Sequence, residues 1–360
     1  MHYREYGKTG KQVSILSFGA MRFANINNRD ECVRMMVAAA EGGVNYFDTA
    51  PLYCENKSEE VCGEGFAELR RRGLPFYVAT KTFASENDAI RKELETSLTR
   101  MGVDAVDFYH VWNISKMENW RVRKGNGILD TFVKLKEEGL IRHICVSSHL
   151  VKDEIKELLM EDVFEGVLFG YSAYNFQTRQ AAFDAIRGRK LGAVIMNPLG
   201  GGVIPRNEEK FGFIRRPGES VADAALCFLW DHPDITTALV GFDTEEHVRE
   251  SVAAAKAHKP RTAAELEELK SKALKSFDGI CTGCAYCDDC PEGIPIPKLM
   301  DGYNHKLFDA SANADTLKNR LKWHWGLEPS AAAGCTACGA CEDACTQHID
   351  IIRRLQEIAE

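Results

Sequence analysis

Two groups of residues in this sequence combine side-chain types and spacings that suit chemistry. In the first, Asp48 ends a short apolar stretch, Pro51 turns the chain and Tyr53 follows within the segment YFDTAPLY. A carboxylate at a strand end with a nearby tyrosine suits proton transfer if another strand supplies a cation, and Lys81 follows an apolar stretch in FYVATKT. The second group is eight cysteines between residues 281 and 345, whose close spacing suits metal ligation.

Composition limits the classes of function. A chain of 360 residues is long enough for more than one domain. With 45 basic and 53 acidic residues the net charge is −8, which argues against a nucleic-acid partner. No run of about 18 apolar residues appears and the N-terminus is polar, so neither a membrane span nor a signal peptide is predicted. Thirteen cysteines without an export signal predict reduced thiols or metal ligands and a cytoplasmic location.

The elements that must position these residues alternate along the chain. The apolar periods predict helices at 29–41, 58–72, 86–101, 128–138, 151–159, 178–187, 221–230 and 244–255. Short apolar runs predict strands at 13–18, 44–47, 76–79, 105–111, 141–146, 166–170, 192–196 and 236–240. Eight strand–helix units in about 250 residues predict an α/β fold, the (β/α)8 TIM barrel, whose chemistry lies at the carboxyl ends of the strands.

An open doubly wound sheet is the alternative fold. It usually has a glycine-rich phosphate loop after its first strand, and Gly19-Ala20-Met21-Arg22 is not such a loop. The alternation stops near residue 260. We therefore predict a barrel domain at 1–260, a linking helix at 261–280 and a mainly helical, ferredoxin-like domain at 281–360.

The barrel motifs together resemble the aldo/keto reductases. The likeness covers about residues 1–256 and is carried by YFDTAPLY with KSEE after it, by VATKT, and by the order of the eight units. It implies nicotinamide-linked conversion between a small carbonyl compound and its alcohol. Tyr53 would be the proton donor, Lys81 would lower the pKa of that tyrosine, and Asp48 would hold Lys81. The alternative is a structural salt bridge with Tyr53 only packing beside it.

A fourth catalytic position departs from that family. The family usually has a histidine five residues after the aspartate of the fourth-strand motif, and Trp112 stands there in DFYHVW. His110 lies two residues earlier, about 7 Å deeper in a regular strand unless a bulge shifts the register. His110 is kept as a catalytic candidate, and a core histidine is its alternative. Arg121, Arg123 and Lys124 are predicted to lie in a solvated loop.

The resemblance also implies a dinucleotide site. Its candidate residues follow strands one, five, seven and eight: Ala20, Met21, Ser147, Ser148, Asn197, Pro198, Leu199, Gly241, His247, Glu250 and Ser251. Glu250 matches the adenine-contacting glutamate, but Gly241 and His247 stand where cations for a 2′-phosphate are expected. The acidic residues 243, 245 and 246 would repel such a phosphate, so NADH is at least as well supported as NADPH. A flavin could connect to iron–sulfur clusters, but no flavin motif is present.

The cysteines form two runs, Cys281, Cys284, Cys287 and Cys290, then Cys335, Cys338, Cys341 and Cys345. The runs resemble two-cluster bacterial ferredoxins, in which the fourth cysteine of each run ligates the other cluster. Two [4Fe–4S] clusters are therefore predicted, and zinc is the alternative.

Two functional hypotheses follow. The first is an iron–sulfur oxidoreductase acting on a small carbonyl or alcohol, and the second is an electron-transfer protein that binds a ligand or redox protein partner without reducing carbonyls.

Overall fold

The computed structural model describes residues 1–173, 175–276, 279–281, 283, 285–309, 314–345 and 348–360. By contacts, these residues form two compact units. The first comprises Met1–Gly170, Ala182–Pro198 and Leu229–Pro260, and the second comprises Tyr171–Ala181, Leu199–Phe228 and Arg261–Glu360. Among the described helices, none is both long enough and apolar enough to cross a membrane.

The first unit contains the predicted barrel. In the described part of the chain, eight parallel strands form a closed barrel: β3 (Leu16–Gly19), β4 (Tyr46–Asp48), β5 (Tyr77–Thr82), β6 (Val106–Ile114), β7 (Ile141–Ser148), β8 (Gly166–Gly170), β9 (Gly192–Met196) and β10 (Thr237–Val240). Their order around the ring is β10-β3-β4-β5-β6-β7-β8-β9. An antiparallel hairpin, β1 (Tyr3–Glu5) and β2 (Gln12–Ser14), precedes them. The predicted fold class is confirmed.

Helices connect successive strands, as a parallel barrel requires, and a last helix follows β10. They are α1 (Arg29–Glu41), α2 (Ser58–Arg71), α3 (Asn87–Met101), α4 (Met117–Gly125), α5 (Ile128–Glu137), α6 (Lys152–Leu159), α7 (Phe176–Arg189), α8 (Val203–Arg206), α9 (Glu208–Phe211), α10 (Val221–Trp230) and α11 (Glu245–Ala257). Capping residues in the sequence explain where several of these helices begin or end. The Asn28 side chain accepts from the Glu31 N–H and caps α1, and Gly102, at φ 59°, ends α3 in the left-handed conformation.

The amino-terminal end of the barrel is filled by the hairpin. Tyr6 is fully buried and packs with Tyr46 and Phe108, at ring-centroid distances of 6.3 and 4.2 Å. A β-carbon on Gly166 would lie 2.0 Å from the Tyr6 hydroxyl, and one on Gly192 would lie 2.2 Å from its ring. These glycines begin β8 and β9, so their missing side chains make room for the tyrosine.

Three parts of the sequence-based assignment were wrong or incomplete. The strand predicted at 13–18 is two strands, because the chain leaves the hairpin at β2 and enters the barrel at β3. The solvated loop predicted around Arg123 is the helix α4, whose buried face repeats at Met117, Trp120 and Arg123. The C-terminal helix α16 (Ile351–Ala359) was not predicted.

The second unit is mainly helical after residue 261. Its helices there are α12 (Ala263–Ser276), α13 (Ile296–Phe308), α14 (Ala314–Arg320), α15 (Ala340–Asp343) and α16, with a π-helical turn at Leu321–Trp325. Asp301 of α13 accepts from Arg320 Nε at 2.6 Å and from Trp325 Nε1 at 2.7 Å. The contiguous division at residues 260 and 280 stays a prediction, since the second unit by contacts also includes segments before residue 260.

Candidate active site and cysteine-lined cavity

A buried ion pair lies at the carboxyl ends of β4 and β5. Asp48 is the last residue of β4 and pairs in register with Ala79 of β5. Lys81 lies two residues after Ala79 on the same strand. Lys81 Nζ donates to Asp48 Oδ1 at 2.5 Å and to the Thr49 carbonyl oxygen at 2.8 Å. Both side chains are at most 1% exposed. The strand ends therefore bring together the first two residues predicted from the sequence.

Burial acts on both charges of this pair. It raises the pKa of Asp48 and lowers the pKa of Lys81, while their mutual attraction opposes each change. Asp48 Oδ2 is buried and has no hydrogen-bond partner among the described residues. Removing either partner would leave an uncompensated buried charge or donor, so the pair is held strongly to its present geometry.

Tyr53 joins the pair from the loop after β4. The Lys81 ammonium lies 5.2 Å from the centroid of its ring. The next three residues, Cys54, Glu55 and Asn56, have φ values of 50°, 57° and 66°. Non-glycine residues rarely adopt this left-handed conformation, and a run of three is a constrained backbone of the kind found at functional sites.

The pKa of Tyr53 differs in direction from the sequence-based expectation. Burial raises it well above the usual value of 10.0, and the nearby Asp48 charge raises it further, while Arg22 lowers it. Lys81 was expected to lower this pKa. Its ammonium is instead compensated by Asp48 and the Thr49 carbonyl, and it faces the ring of the tyrosine.

His110 lies beside Lys81 inside the barrel. The two residues are register partners on β6 and β5, and His110 is fully buried. Its Nδ1 is 3.3 Å from the Thr80 carbonyl oxygen, so this nitrogen carries the proton. Burial first, and then the Lys81 charge, lower the pKa of His110 to about 3. No hydrogen bond or ring contact among the described residues joins His110 to Tyr53.

The bulge that could have moved His110 occurs later in β6. Val111 pairs with Val146 and Ile114 pairs with Ser148, so β6 has one extra residue between these pairs. Asn113, within this interval, has φ 58°. Because the register is regular up to Val111, the bulge redirects Trp112 and Asn113 and leaves His110 buried below.

Trp112 forms an aromatic cluster at the strand ends. Its ring contacts Tyr53 edge-on at a centroid distance of 5.6 Å and stacks on Phe83 at 3.9 Å. Buried Arg123 supports this arrangement, because its Nη1 donates to the Trp112 carbonyl at 2.8 Å and its Nη2 donates to the carbonyls of Thr82 and Ala84 at 3.2 and 3.0 Å. Sequence reasoning missed Arg123 and Phe83. The signal for Arg123 was its place on the apolar stripe of α4.

The residues predicted near a nicotinamide ring have different exposures. The Ala20 N–H donates to the Asp48 carbonyl at 2.8 Å, and Met21 is exposed beside it. Ser147 is buried, and Ser148 donates to the Ile114 carbonyl at 3.1 Å while accepting from a backbone N–H. The Ser148 hydroxyl is therefore already engaged in holding the end of β7.

The remaining predicted dinucleotide residues follow β9 and β10. Asn197, at φ 54°, and buried Pro198 come after β9, and Leu199 belongs to the second compact unit. After β10, Gly241, His247 and Glu250 are exposed and Ser251 is half-buried. Thr244 caps α11 by accepting from the His247 N–H at 3.2 Å.

In the second unit, five cysteines line one cavity of about 180 Å³: Cys287, Cys290, Cys335, Cys338 and Cys341. Cys338 is exposed, Cys341 and Cys345 are buried, and Cys281 is half-buried. Cys284 lies outside the described residues. The donor set fits an iron–sulfur cluster, because the three spaced thiols of the second run meet the last thiol of the first run around one cavity.

No set of three cysteine, histidine or acidic side chains in the described ranges converges closely enough for a single metal ion. The thiolates that hold a cubane cluster can lie farther apart than the ligands of a single ion, since each thiolate binds a different iron at a corner of the cluster.

An eight-stranded parallel barrel with a buried lysine–aspartate pair, followed by a cysteine-lined cavity, defines a TIM-barrel protein with an iron–sulfur segment. The sequence profile of the aldo/keto reductase family matches residues 15–273, and the profile of the 4Fe–4S dicluster domain matches residues 280–349. The chain therefore belongs to the aldo/keto reductase family, a family of oxidoreductases, and carries a C-terminal 4Fe–4S domain.

Known proteins similar to this chain agree with the family assignment. The uncharacterized oxidoreductase YrpG of Bacillus subtilis (strain 168) is 26% identical over 303 residues, which are 71% of this chain and 91% of the relative. L-galactose dehydrogenase of Arabidopsis thaliana is 26% identical over 289 residues, 70% of this chain and 87% of the relative. An aldo/keto reductase from Klebsiella pneumoniae, solved with NADP and acetate, has a TM-score of 0.62 at 20% identity over 74% of this chain and 94% of that one. This structural likeness supports the fold.

Proposed function

We propose that this protein is a nicotinamide-linked oxidoreductase that interconverts a small carbonyl compound and its alcohol, and that its C-terminal segment holds two [4Fe–4S] clusters that transfer electrons. The observation that carries the proposal is the buried Lys81–Asp48 pair directly beneath the Tyr53 ring, at the barrel end where such folds bind substrates. A 2.5 Å ion pair excluded from water positions its charges without reorganisation, which is what proton and oxyanion chemistry requires.

When bound, a nicotinamide would supply the hydride that carbonyl reduction requires. The chain's own task is to supply a proton to the carbonyl oxygen as negative charge develops there. Tyr53 carries the hydroxyl that donates this proton. Burial and the Asp48 charge raise the pKa of Tyr53 and so keep its hydroxyl protonated, while the Lys81 ammonium, held by Asp48, faces the ring from which the proton would leave. In alcohol oxidation the same groups act in reverse.

Trp112 and His110 determine how well the oxygen is stabilised. His110 remains neutral at ordinary pH because its pKa is about 3, and it lies beside Lys81 in the barrel interior. Trp112, packed against Tyr53, can donate one hydrogen bond through its indole N–H but cannot become a cation. The expected consequence is slow turnover with ordinary carbonyl substrates.

The dinucleotide would extend from Tyr53 towards the residues after β10. The relative from Klebsiella pneumoniae was solved with NADP. In this chain the exposed acidic side chains around the start of α11, Asp243 and Glu246, disfavour a 2′-phosphate. We therefore propose that NADH is bound at least as well as NADPH.

The two clusters would be held crosswise. One cluster would bind Cys281, Cys284, Cys287 and Cys345, and the other would bind Cys290, Cys335, Cys338 and Cys341. All four thiols of the second set line the cavity, and Cys287 of the first set also borders it. Ligands from both runs on each cluster would make metal binding part of the folding energy of this segment.

A second candidate function is electron transfer without carbonyl reduction, with the barrel binding a ligand or a redox protein partner. It is favoured by the neutral, buried His110 and by Trp112 at the family's histidine position. The location of the protein in the cytoplasm stays a prediction.

The two functions are separated by one set of measurements on anaerobically purified protein. We expect about eight irons and eight acid-labile sulfides per chain, with carbonyl-dependent oxidation of NADH or NADPH. Stoichiometric zinc without visible absorbance would contradict the clusters. Nucleotide binding without turnover over a broad panel of aldehydes and ketones would favour the electron-transfer function.

A further inference from the structure

A buried arginine on the C-terminal helix α16 has donors without acceptors. The Arg354 side chain belongs to a residue that is only 6% exposed. Its Nη2 donates to the Gly279 carbonyl oxygen at 2.6 Å, and its guanidinium carbon lies 4.9 Å from the centroid of the Tyr303 ring. Its Nε and Nη1 are buried and have no hydrogen-bond partner among the described residues. The N–H groups on these two nitrogens are therefore unused.

The charge of Arg354 is uncompensated as well. It forms no ion pair with any carboxylate in the ranges that the structure describes, whereas its neighbour Arg353 is exposed and pairs with both Asp350 and Glu357. A guanidinium that is removed from water without a counter-charge is strongly unfavourable, so a buried arginine normally has an anion beside it. We infer that the anion beside Arg354 is not a carboxylate of the chain.

The guanidinium lies at the start of the first cysteine run. Gly279, which accepts its hydrogen bond, is two residues before Cys281. Asn304, next to Tyr303 on α13, holds the same segment: its Oδ1 accepts from the Cys281 N–H at 3.0 Å and its Nδ2 donates to the Cys281 carbonyl at 2.7 Å. A [4Fe–4S] cluster with four thiolate ligands carries a net negative charge, and its sulfur atoms accept hydrogen bonds. Such a cluster would supply both the anion and the acceptors.

We propose that Arg354 donates hydrogen bonds to the sulfur atoms of the cluster that Cys281 helps to hold, and that this contact makes it the more easily reduced of the two clusters. The assignment rests on the proposed clusters. Reduction adds an electron to the cluster. A positive charge and N–H donors beside the sulfur atoms stabilise the reduced form more than the oxidised form, and so raise the reduction potential.

The surroundings of the other cluster have the opposite charge. The cavity lined by its four thiols is also lined by Asp289 and Glu292, and no lysine, arginine or histidine is among the described residues that line it. Negative charge beside a cluster favours its oxidised form, which lowers the reduction potential. An electron that enters the segment would therefore settle on the cluster beside Arg354.

The test is a redox titration of the full-length, cluster-loaded protein, followed by electron paramagnetic resonance. It gives one reduction potential for each cluster. The variants are Arg354→Gln and Arg354→Lys, and Arg353→Gln is the matched control, because it removes the charge of the adjacent but exposed arginine. We expect Arg354→Gln to lower the ratio of reduced to oxidised cluster at least about tenfold at a fixed potential, which is about 59 mV for a one-electron couple.

The pattern of the change is as diagnostic as its size. The higher of the two potentials should move, and the lower one should change by less than about a third as much. Arg354→Lys keeps the charge but not the guanidinium fork, so its shift should be smaller. Arg353→Gln should leave both potentials where they are in the wild type.

A second measurement needs no variant. Wild-type protein containing arginine labelled with the heavy nitrogen isotope is reduced and studied by pulsed paramagnetic resonance, with unlabelled protein as the control. A guanidinium nitrogen that donates to a cluster sulfur atom should show a hyperfine coupling to the electron spin, because part of that spin lies on the sulfur atoms. This coupling is expected even if Arg354→Gln fails to assemble its clusters.

Four outcomes would overturn the assignment. Unchanged potentials in Arg354→Gln with about eight irons per chain would remove Arg354 while leaving the clusters in place. An equal shift of both potentials would make Arg354 a distant charge and not a hydrogen-bond donor. Absence of the nitrogen coupling in labelled wild-type protein would exclude the contact directly. If the wild type held zinc and no iron, the proposed clusters would fail and the Arg354 assignment with them.

Discussion

Replacing Asp48 with asparagine tests the buried ion pair most directly. The change removes the charge that compensates Lys81 but keeps the size of the side chain. Lys81 would keep neutral acceptors, the amide oxygen of the new side chain and the Thr49 carbonyl at 2.8 Å, but no negative charge in a fully buried position. Breaking a buried pair from one side costs about 3–5 kcal/mol. For a barrel of this size, that loss lowers the unfolding midpoint by about 6–20 °C.

The pH dependence of the Asp48→Asn variant has a definite sign. Burial lowers the folded-state pKa of Lys81, and the carboxylate that opposes this effect is gone. Between the lowered folded pKa and the unfolded value of about 10.4, the unfolded chain binds more protons than the folded one. The variant should therefore regain stability as the pH rises towards 10, by up to about 1.4 kcal/mol per pH unit.

The assay is thermal unfolding followed by circular dichroism at a fixed heating rate, from pH 6 to pH 10. Glu138→Gln is the matched control, because Glu138 accepts from Arg91 at the same 2.5 Å but on the surface, where a pair contributes at most about 1 kcal/mol. Asp48→Asn with Lys81→Met should recover part of the loss. A midpoint that falls no more than in the control, or a double variant no more stable than the single one, would refute the reasoning.

Three further predictions concern the two redox sites. Tyr53→Phe should lower carbonyl reduction by roughly 10²–10⁴-fold while the dissociation constant of the nucleotide changes by less than about twofold, and unchanged turnover would remove Tyr53 from the mechanism. Trp112→His should raise turnover of small aldehydes by at least about tenfold, whereas changing His110 alone should bring no gain; an equal or lower rate in a folded, nucleotide-binding Trp112→His protein would show that Trp112 does not limit the site. Cys290→Ser should reduce the iron content from about eight to about four per chain, and Cys54→Ser should leave it at about eight; a full complement of iron in Cys290→Ser would contradict the crosswise ligand set.

Much of the barrel was predictable because its signals are local. The helix α1 and the strands β8 and β9 were predicted with their observed bounds, since each is a periodic or continuous apolar segment with clear ends. The motif around Asp48 and the spacing of the cysteines are also local, because each depends on residues only a few positions apart. For these features, propensity and spacing are sufficient.

The site itself depended on contacts between distant segments. The bulge after Val111, which leaves His110 buried while Trp112 meets Tyr53, arises from pairing between β6 and β7 and leaves no mark in the sequence of β6 alone. The segment around Arg123 has the charged composition of a solvated loop. Only in the folded chain is Arg123 buried between strand ends, where it donates to the Trp112 carbonyl.

By itself, the sequence determined that a barrel of alternating strands and helices precedes two cysteine runs. It also determined that a carboxylate, a tyrosine and a lysine lie at or just after the ends of two successive strands. Only the tertiary structure decided the protonation preferences of Tyr53 and His110 and the meeting of Arg354 with Gly279. The physical reason is that a pKa depends on burial and on charges from other strands, and that a contact between the last helix and the start of the first cysteine run exists only once the chain has folded.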